Sequence, residues 1–312
     1  MQRLTDSQPS FSGGIEHRLE QLAARAAWEM GCIEAEAPIW LKKPQRDAHY
    51  NVAVVGGGLN GLSAAFALRR RGIEGVLVID QAEAGREGPW ITSARMKTLR
   101  SPKTLAGPDF GIPSLSPRAW YETVYGEEAF VGLEKIDRED WMRYMLWFRK
   151  ASGVTVHNRT RLEAVAEADG GVKLTISGNE ALPGEITCRR LIMANGMDGC
   201  GGPYVPEDVA ALPKEFWTHS AEEADDSHLK GKDVIVLGSA TSSFDWAVTA
   251  LEAGARRVTL VARAKELACT EVLAWTNFPG YLGSYAELPD AEKWRFSQHY
   301  YDLKVPPTQD QY

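Results

Sequence analysis

One stretch constrains this chain more than any other: residues 51–80, NVAVVGGGLNGLSAAFALRRRGIEGVLVID. A short apolar run, 52–55, leads into Gly56, Gly58 and Gly61, spaced as G-x-G-x-x-G. A helical pattern follows through Leu62, Ala65, Phe66, Leu68 and Arg69 and stops at Gly72, and a second apolar run, 76–79, ends in Asp80. The order is strand, glycine turn, helix, strand, acid. Gly56 suits a tight turn, Gly58 lets backbone approach a pyrophosphate, and Gly61 lets the helix pack close to the strand. The free N–H groups and partial positive charge of the helix N-terminus favour phosphate. Asp80 follows Gly56 by 24 residues, where a carboxylate accepts hydrogen bonds from a ribose hydroxyl pair. The stretch predicts a dinucleotide site, with Gly56, Gly57, Gly58, Leu59, Asn60, Gly61, Asp80 and Gln81 as cofactor-binding candidates. The bland alternative is an α/β turn without a ligand.

At 312 residues the chain suggests two domains, or one with a large insertion. With 44% hydrophobic and 25% charged residues it can bury an ordinary core. A net charge of -7 argues against a nucleic-acid partner. No apolar run approaches the roughly 18 residues that span a bilayer, and the first residues lack an apolar signal core, so the expectation is a cytoplasmic protein. Cys32, Cys188, Cys200 and Cys269 show neither C-x-x-C nor metal-type spacing. They read as incidental or buried thiols, and no metal site is expected. Their spacing also argues against a flavin disulfide reductase, which needs a closely spaced redox pair.

Residues 1–13 are polar and predict disorder. From Ile15, apolar residues recur at Leu19, Leu22, Ala26 and Met30, an amphipathic helix; residues 1–50 read as an N-terminal helical extension. The long stretch 85–121, rich in Gly, Pro, Arg and aromatic residues, reads as an irregular functional loop. Its Trp90, Arg95, Arg100, Lys103 and Trp120 offer a flat aromatic surface and cations suited to a flavin ring and an anionic group. The alternative is an irregular excursion with Trp90 and Trp120 in the core and the cations solvated. Residues 137–150 predict a helix with Asp137 as N-cap, acids in its first turn, and Trp141, Met145 and Phe148 facing the core. Residues 154–156 read as a further strand of the parallel sheet. Alternating apolar residues from Leu162 to Cys188, broken by Asp169-Gly170-Gly171 and Pro183-Gly184, predict an antiparallel meander over 160–190. A separate strand over 191–194 is expected after it.

Residues 232–263 repeat the opening unit: a strand over 234–237, a glycine turn from Gly238 to Ser243, a helix, a stop at Gly254, and a strand over 258–261. The residue 24 positions after Gly238 is Ala262, so the acid is absent, and Arg263 follows with Lys265 nearby. An acid there repels a ribose 2′-phosphate, whereas Arg263 pairs with one through a charge-assisted fork. The first unit therefore suits FAD or NAD, and the second NADP. The turn is irregular, since Ala240 and Ser243 replace the second and third glycines, and its binding candidates are Gly238, Ser239, Thr241, Ser242 and Arg263. The alternative is a Rossmann-like half that binds no nucleotide.

Two such units joined through a meander resemble the two-dinucleotide-binding-domain flavoproteins, and more closely the class B flavin-dependent monooxygenases. Gly56, Gly58, Gly61 and Asp80 fit that family's FAD fingerprint. Glu87-Gly88-Pro89-Trp90 is similar to its Gly-Gly-x-Trp turn beside the flavin, with Pro89 departing from glycine. Ala194-Asn195-Gly196 is similar to its Ala-Thr-Gly linker, with Asn195 departing from threonine. His219-Ser220 resembles the close of the fingerprint that precedes the NADPH unit, and His219 reads as a structural linker residue. The stretch 85–121 resembles a bacterial group of FAD/NAD(P)-binding proteins related to those acting on urate or amino-acid nitrogen.

The resemblance implies an α/β fold: a Rossmann-like FAD-binding domain over 51–230 carrying the meander, and a Rossmann-like NAD(P)-binding unit over 231–312. Residues 264–312 show no apolar strand ending in the Gly-Asp pair of the family's FAD-closing segment, so a shortened chain is expected. The implied activity is a monooxygenase in which NADPH reduces FAD, a flavin hydroperoxide forms with dioxygen, and one oxygen atom passes to a small-molecule substrate. Trp90, Arg95 and Arg100 are the candidates beside the flavin, with either arginine holding NADPH phosphate or an anionic substrate. A non-oxygenating flavin oxidoreductase and a shortened, non-catalytic dinucleotide-binding protein are the rival readings. Substrate identity and oligomeric state are not legible in the residues.

Overall fold

The computed structural model describes residues 13–44, 49–223, 225–265 and 283–302. By its internal contacts the chain forms two compact units that interleave along the sequence. The first comprises residues 1–91, 107–133 and 139–202; the second comprises 92–106, 134–138 and 203–312.

The first unit is built on a five-stranded sheet in the order β2-β1-β5-β4-β3. Strand β1 (His49–Val55) lies second in the sheet and parallel to both neighbours, β2 (Val76–Ile79) and the central β5 (Glu185–Met193). Its residues Val52, Ala53 and Val54 are all buried, as expected for a parallel strand covered on both faces. One covering element is helix α2 (Leu59–Arg70), which leaves the glycine turn directly after β1. Ala53, Leu77 and Ile79 join Leu174, Ile176, Ile186 and Cys188 in one apolar cluster.

Strands β3 (Arg161–Ala168), β4 (Gly171–Ser177) and β5 pair antiparallel in succession, which is the expected meander. The separate strand expected over 191–194 does not exist as such. β5 runs unbroken, pairing antiparallel with β4 through Thr187 and Cys188 and parallel with β1 from His49↔Thr187 to Val55↔Met193. Meander and parallel sheet thus share one strand. Residues 154–156 form no strand either; the neighbouring His157 makes a single parallel bridge to Ile79.

Helix α1 (Gly13–Cys32) buries Leu19, Ala26 and Met30, the expected apolar stripe. The end of the stretch expected to be irregular is helical: α3 (Pro117–Tyr125) and α4 (Glu127–Gly132). Local chemistry explains α3. The Ser116 side chain accepts the Ala119 N–H (3.1 Å) and Pro117 sits in the first turn, where its missing N–H costs nothing. Helix α5 (Arg138–Ser152) carries Glu139 and Asp140 in its first turn and Arg149 and Lys150 in its last, matching the helix dipole at both ends. Its Trp141, Met145 and Phe148 are buried as expected.

In the second unit, a short helix α6 (Glu207–Ala210) precedes β6 (Asp233–Leu237), α7 (Thr241–Glu252) and β7 (Arg257–Val261). β6 and β7 pair parallel from Asp233↔Arg257 to Leu237↔Val261. A last helix spans Asp290–Asp302. Expectations on residues 1–12, 266–282 and 303–312 lie outside the described residues. Of the cysteines, Cys32 is exposed and Cys188 buried, both free. Among the described residues no helix is long and apolar enough to cross a membrane.

Candidate dinucleotide sites

In the first turn each glycine has a distinct reason. Gly56 has φ +109°, and a Cβ there would stand 2.3 Å from the Ala194 carbonyl oxygen; its N–H donates to Ile79 O (2.8 Å). A Cβ on Gly57 would meet Val156 Cγ1 at 2.6 Å, and one on Gly61 would meet Gly56 O at 1.8 Å. Gly58 differs from all three, because a Cβ there would meet nothing within 4 Å. Protein packing therefore demands glycine at 56, 57 and 61 and leaves 58 facing open space. That space lies at the N-terminal end of α2, for which Gly58 is the N-cap.

Asp80 closes the turn from the other side. One carboxylate oxygen accepts the Gly57 N–H (2.7 Å) and the other the Ala82 N–H (2.7 Å). A carboxylate offers about four lone-pair sites, so two backbone bonds fix its orientation and leave capacity for hydroxyl donors. Gln81 and Asn60 are exposed beside this turn.

Gly57, Gly58, Leu59 and Leu62 form one wall of a small cleft, and Trp90, Glu87 and the α5 residues Met142, Met145, Leu146 and Arg149 form the rest. Trp90 stands edge-on to Trp141 with centroids 6.2 Å apart. At the cleft's base Glu87 is 4% exposed. Its Oε1 accepts from Arg149 Nη1 (2.8 Å) and Asn158 Nδ2 (2.6 Å), and its Oε2 accepts the Gly85 N–H (2.8 Å). Arg149 also donates to Asn158 Oδ1 (3.1 Å) and Val156 O (2.8 Å). The neighbouring His157 imidazole is pushed below its ordinary range by burial and by the Arg149 charge.

The other residues of 85–121 singled out in the sequence separate. Trp120 is 1% exposed and packs against Tyr125 and Tyr144, a core residue rather than part of a cofactor surface. Arg95 and Arg100 belong to the second unit. The Arg95 guanidinium lies 4.5 Å from the Trp246 ring and its Nε 3.4 Å from Asp226, while Arg100 is ion-paired with Asp245 on α7. Both arginines are thus engaged with carboxylates of their own unit. His219 accepts the Ala221 N–H (3.1 Å) in a local turn, consistent with a linker residue.

The second turn repeats the first in backbone. Gly238 has φ +133°, and its N–H donates to Val261 O (2.9 Å), as that of Gly56 does to Ile79. Ala240, the N-cap of α7, has φ −83° and ψ 167°, close to the −73° and −165° of Gly58. Ser239, Thr241 and Ser242 follow the same path into the helix, and Arg263 is exposed two residues beyond β7. Among the described residues no His, Cys, Asp and Glu group of metal-binding size occurs.

Sequence reasoning named Glu87 only within the turn 87–90 and Met145 only as core, and missed Arg149, Asn158 and Met142. Arg149 carried a signal: with Met142 and Met145 it falls on one helical face, at i, i+3 and i+7.

A Rossmann-like unit with a meander and a second strand-turn-helix-strand unit define the fold of the two-dinucleotide-binding flavoproteins. The chain belongs to the pyridine nucleotide-disulphide oxidoreductase family, which it matches over residues 53–276. It is 38% identical over 264 residues to an FAD-dependent urate hydroxylase of Xanthomonas campestris pv. campestris, covering 84% of this chain and 55% of that protein. It is 27% identical over 217 residues to a ferredoxin–NADP reductase of Salinispora tropica, covering 68% of this chain and 54% of that protein. Among solved structures it superposes on the ornithine N-hydroxylase of Kutzneria sp. 744, bound to reduced FAD, NADP+ and L-ornithine. The TM-score is 0.63 and the identity 16%, over 84% of this chain and 66% of that one. The chain spans about half the length of the curated relatives it matches.

Proposed function

We propose that the protein is an FAD- and NADPH-dependent monooxygenase that transfers one oxygen atom of dioxygen to a small molecule. The observation that carries the cofactor assignment is Gly58: the one glycine of its turn that no protein atom requires, open at a helix N-terminus beside an orientated Asp80. The residues fit the group. Gly57, Gly58 and the start of α2 would receive the pyrophosphate of FAD, Asp80 its ribose, and Trp90 would border it. In the second unit, Ser239, Thr241 and Ser242 would meet the NADPH pyrophosphate and Arg263 the 2′-phosphate. When bound, FAD supplies hydride acceptance and dioxygen activation. The chain's part is to bind, orient and exclude water, so no nucleophile or metal set is required.

The 38% identity to a urate hydroxylase supports oxygen transfer and makes urate the first substrate to try. A non-oxygenating reading, electron transfer from NADPH to an acceptor, is favoured by the ferredoxin–NADP reductase relative. The test is a visible spectrum of the purified protein with added FAD, then NADPH without oxygen. A protein-bound flavin band that bleaches supports both cofactor sites, and oxygenated product in air then separates the two readings. A folded protein that holds no flavin overturns the proposal and leaves a non-catalytic dinucleotide-binding protein.

A further inference from the structure

We propose that Glu87 and Arg149 are a positioning pair for the first dinucleotide site, holding the Trp90 turn at a set distance from Gly58. The inference rests on the reading that this turn holds FAD, and adds to it two residues that act through the segments they hold.

Stability alone is a poor explanation of the pair. Its side chains are 3% and 21% exposed, and taking two charges out of water offsets much of their attraction, so an apolar pair of similar volume commonly serves a core as well. The rest of the α5 face here is apolar: Met142, Met145 and Leu146. An ion pair adds direction, and the bonds of this one reach Gly85, Val156 and Asn158. Glu87 lies three residues before Trp90 and ties its own loop through the Gly85 N–H. Arg149 holds the carbonyl of Val156, whose side chain is the packing partner that requires glycine at 57. Asn158 bridges Glu87 to the carbonyl of Ala82, and the Ala82 N–H in turn holds Asp80 (2.7 Å). One connected network thus registers three things against each other: the turn that would take pyrophosphate, the carboxylate that would take ribose, and the aromatic wall of the cleft. Removing the charge from either partner loosens that register while leaving the ladders of β1, β2 and β5 intact.

The experiment is an FAD titration, by flavin fluorescence and visible absorption, of the unaltered protein, Glu87→Gln, Arg149→Met and the double variant. NADP+ affinity and the thermal midpoint of the cofactor-free protein are measured alongside. Each single variant is expected to weaken FAD binding about ten-fold or more and to shift the bound flavin band. The double variant should be no weaker than the worse single one, with NADP+ affinity unchanged. Glu87→Asp keeps the charge but shortens the reach; it should weaken FAD binding with an unchanged thermal midpoint, and it decides the matter if Glu87→Gln does not fold. FAD affinity equal to that of the unaltered protein, additive losses, or parallel losses of FAD and NADP+ affinity with a lowered midpoint would each overturn the inference. An unaltered protein that folds but takes up no FAD overturns the functional reading, and the inference with it.

Discussion

Gly58 and Ala240 hold the same place in two turns of nearly the same backbone, and the difference between them is one methyl group. Neither position has a positive φ, so conformational freedom does not select glycine at 58; open space does. Gly58→Ala should therefore leave the cofactor-free fold unchanged within about 1 kcal/mol, yet weaken FAD binding at least roughly ten-fold, as the methyl intrudes where the pyrophosphate approaches. Gly61→Ala should do the reverse in order. Its Cβ would lie 1.8 Å from a backbone oxygen that no side-chain rotation can move, so stability should fall first, by about 1–3 kcal/mol or more. Denaturant unfolding and FAD titration of both variants check the pair of outcomes. If Gly58→Ala binds FAD as well as the unaltered protein, the open space is not where the dinucleotide lies.

At the scale of elements, α5 joins core and site. Its inner face is anchored by Phe148, fully buried and edge-on to Phe66 of α2 with centroids 5.6 Å apart. Phe148→Ala should cost about 3–5 kcal/mol in denaturant unfolding. The segment beside β2 carries a pH-dependent term. The His157 N–H donates to Val78 O (2.8 Å) and its carbonyl accepts from Asp80 (3.0 Å), placing the ring near Arg149. Burial first, and the Arg149 charge second, lower its folded pKa from the ordinary 6.5. The unfolded chain then takes up the proton more readily, so the contribution to stability is complete above about pH 6.5 and is lost as the pH falls toward the lowered value. Thermal midpoints should decline through that interval, and His157→Asn should flatten the decline. An unchanged slope would mean that His157 does not cause it. Helix α5 was legible because fifteen residues carry one apolar period, with acids in the first turn and bases in the last. Residues 154–156 read as a strand because two valines flanking Thr155 specify an extended path but not how many ladder bonds it makes.

At the scale of the molecule, the legible parts are those whose cause is local in sequence. Glycine turns, the helices after them and the alternating meander follow from residues within about a dozen positions. Trp120 looked like Trp90 in the sequence, yet one is core and the other lines the cleft, because their partners Tyr144 and Trp141 lie on α5, more than twenty residues away. The course of residues 92–106 was hidden for the same reason. Arg95, Lys97 and Arg100 look like free cations, but their carboxylates are Asp226, Glu252 and Asp245, over a hundred residues downstream. That interleaving leaves each unit with its own glycine turn, so the two nucleotide affinities should respond to separate substitutions. Arg263 is the residue to test in the second unit, being exposed beyond β7 where Ala262 replaces the acid. Arg263→Ala should weaken NADPH binding by roughly ten-fold, the scale of a lost charge-assisted contact. NADH, which lacks the 2′-phosphate, should bind as before, and FAD affinity should not change. Isothermal titration with NADP+ and NAD+ reads the difference. Equal losses for both would place Arg263 on a part of the nucleotide that the two share, and would remove the basis for assigning NADPH over NADH.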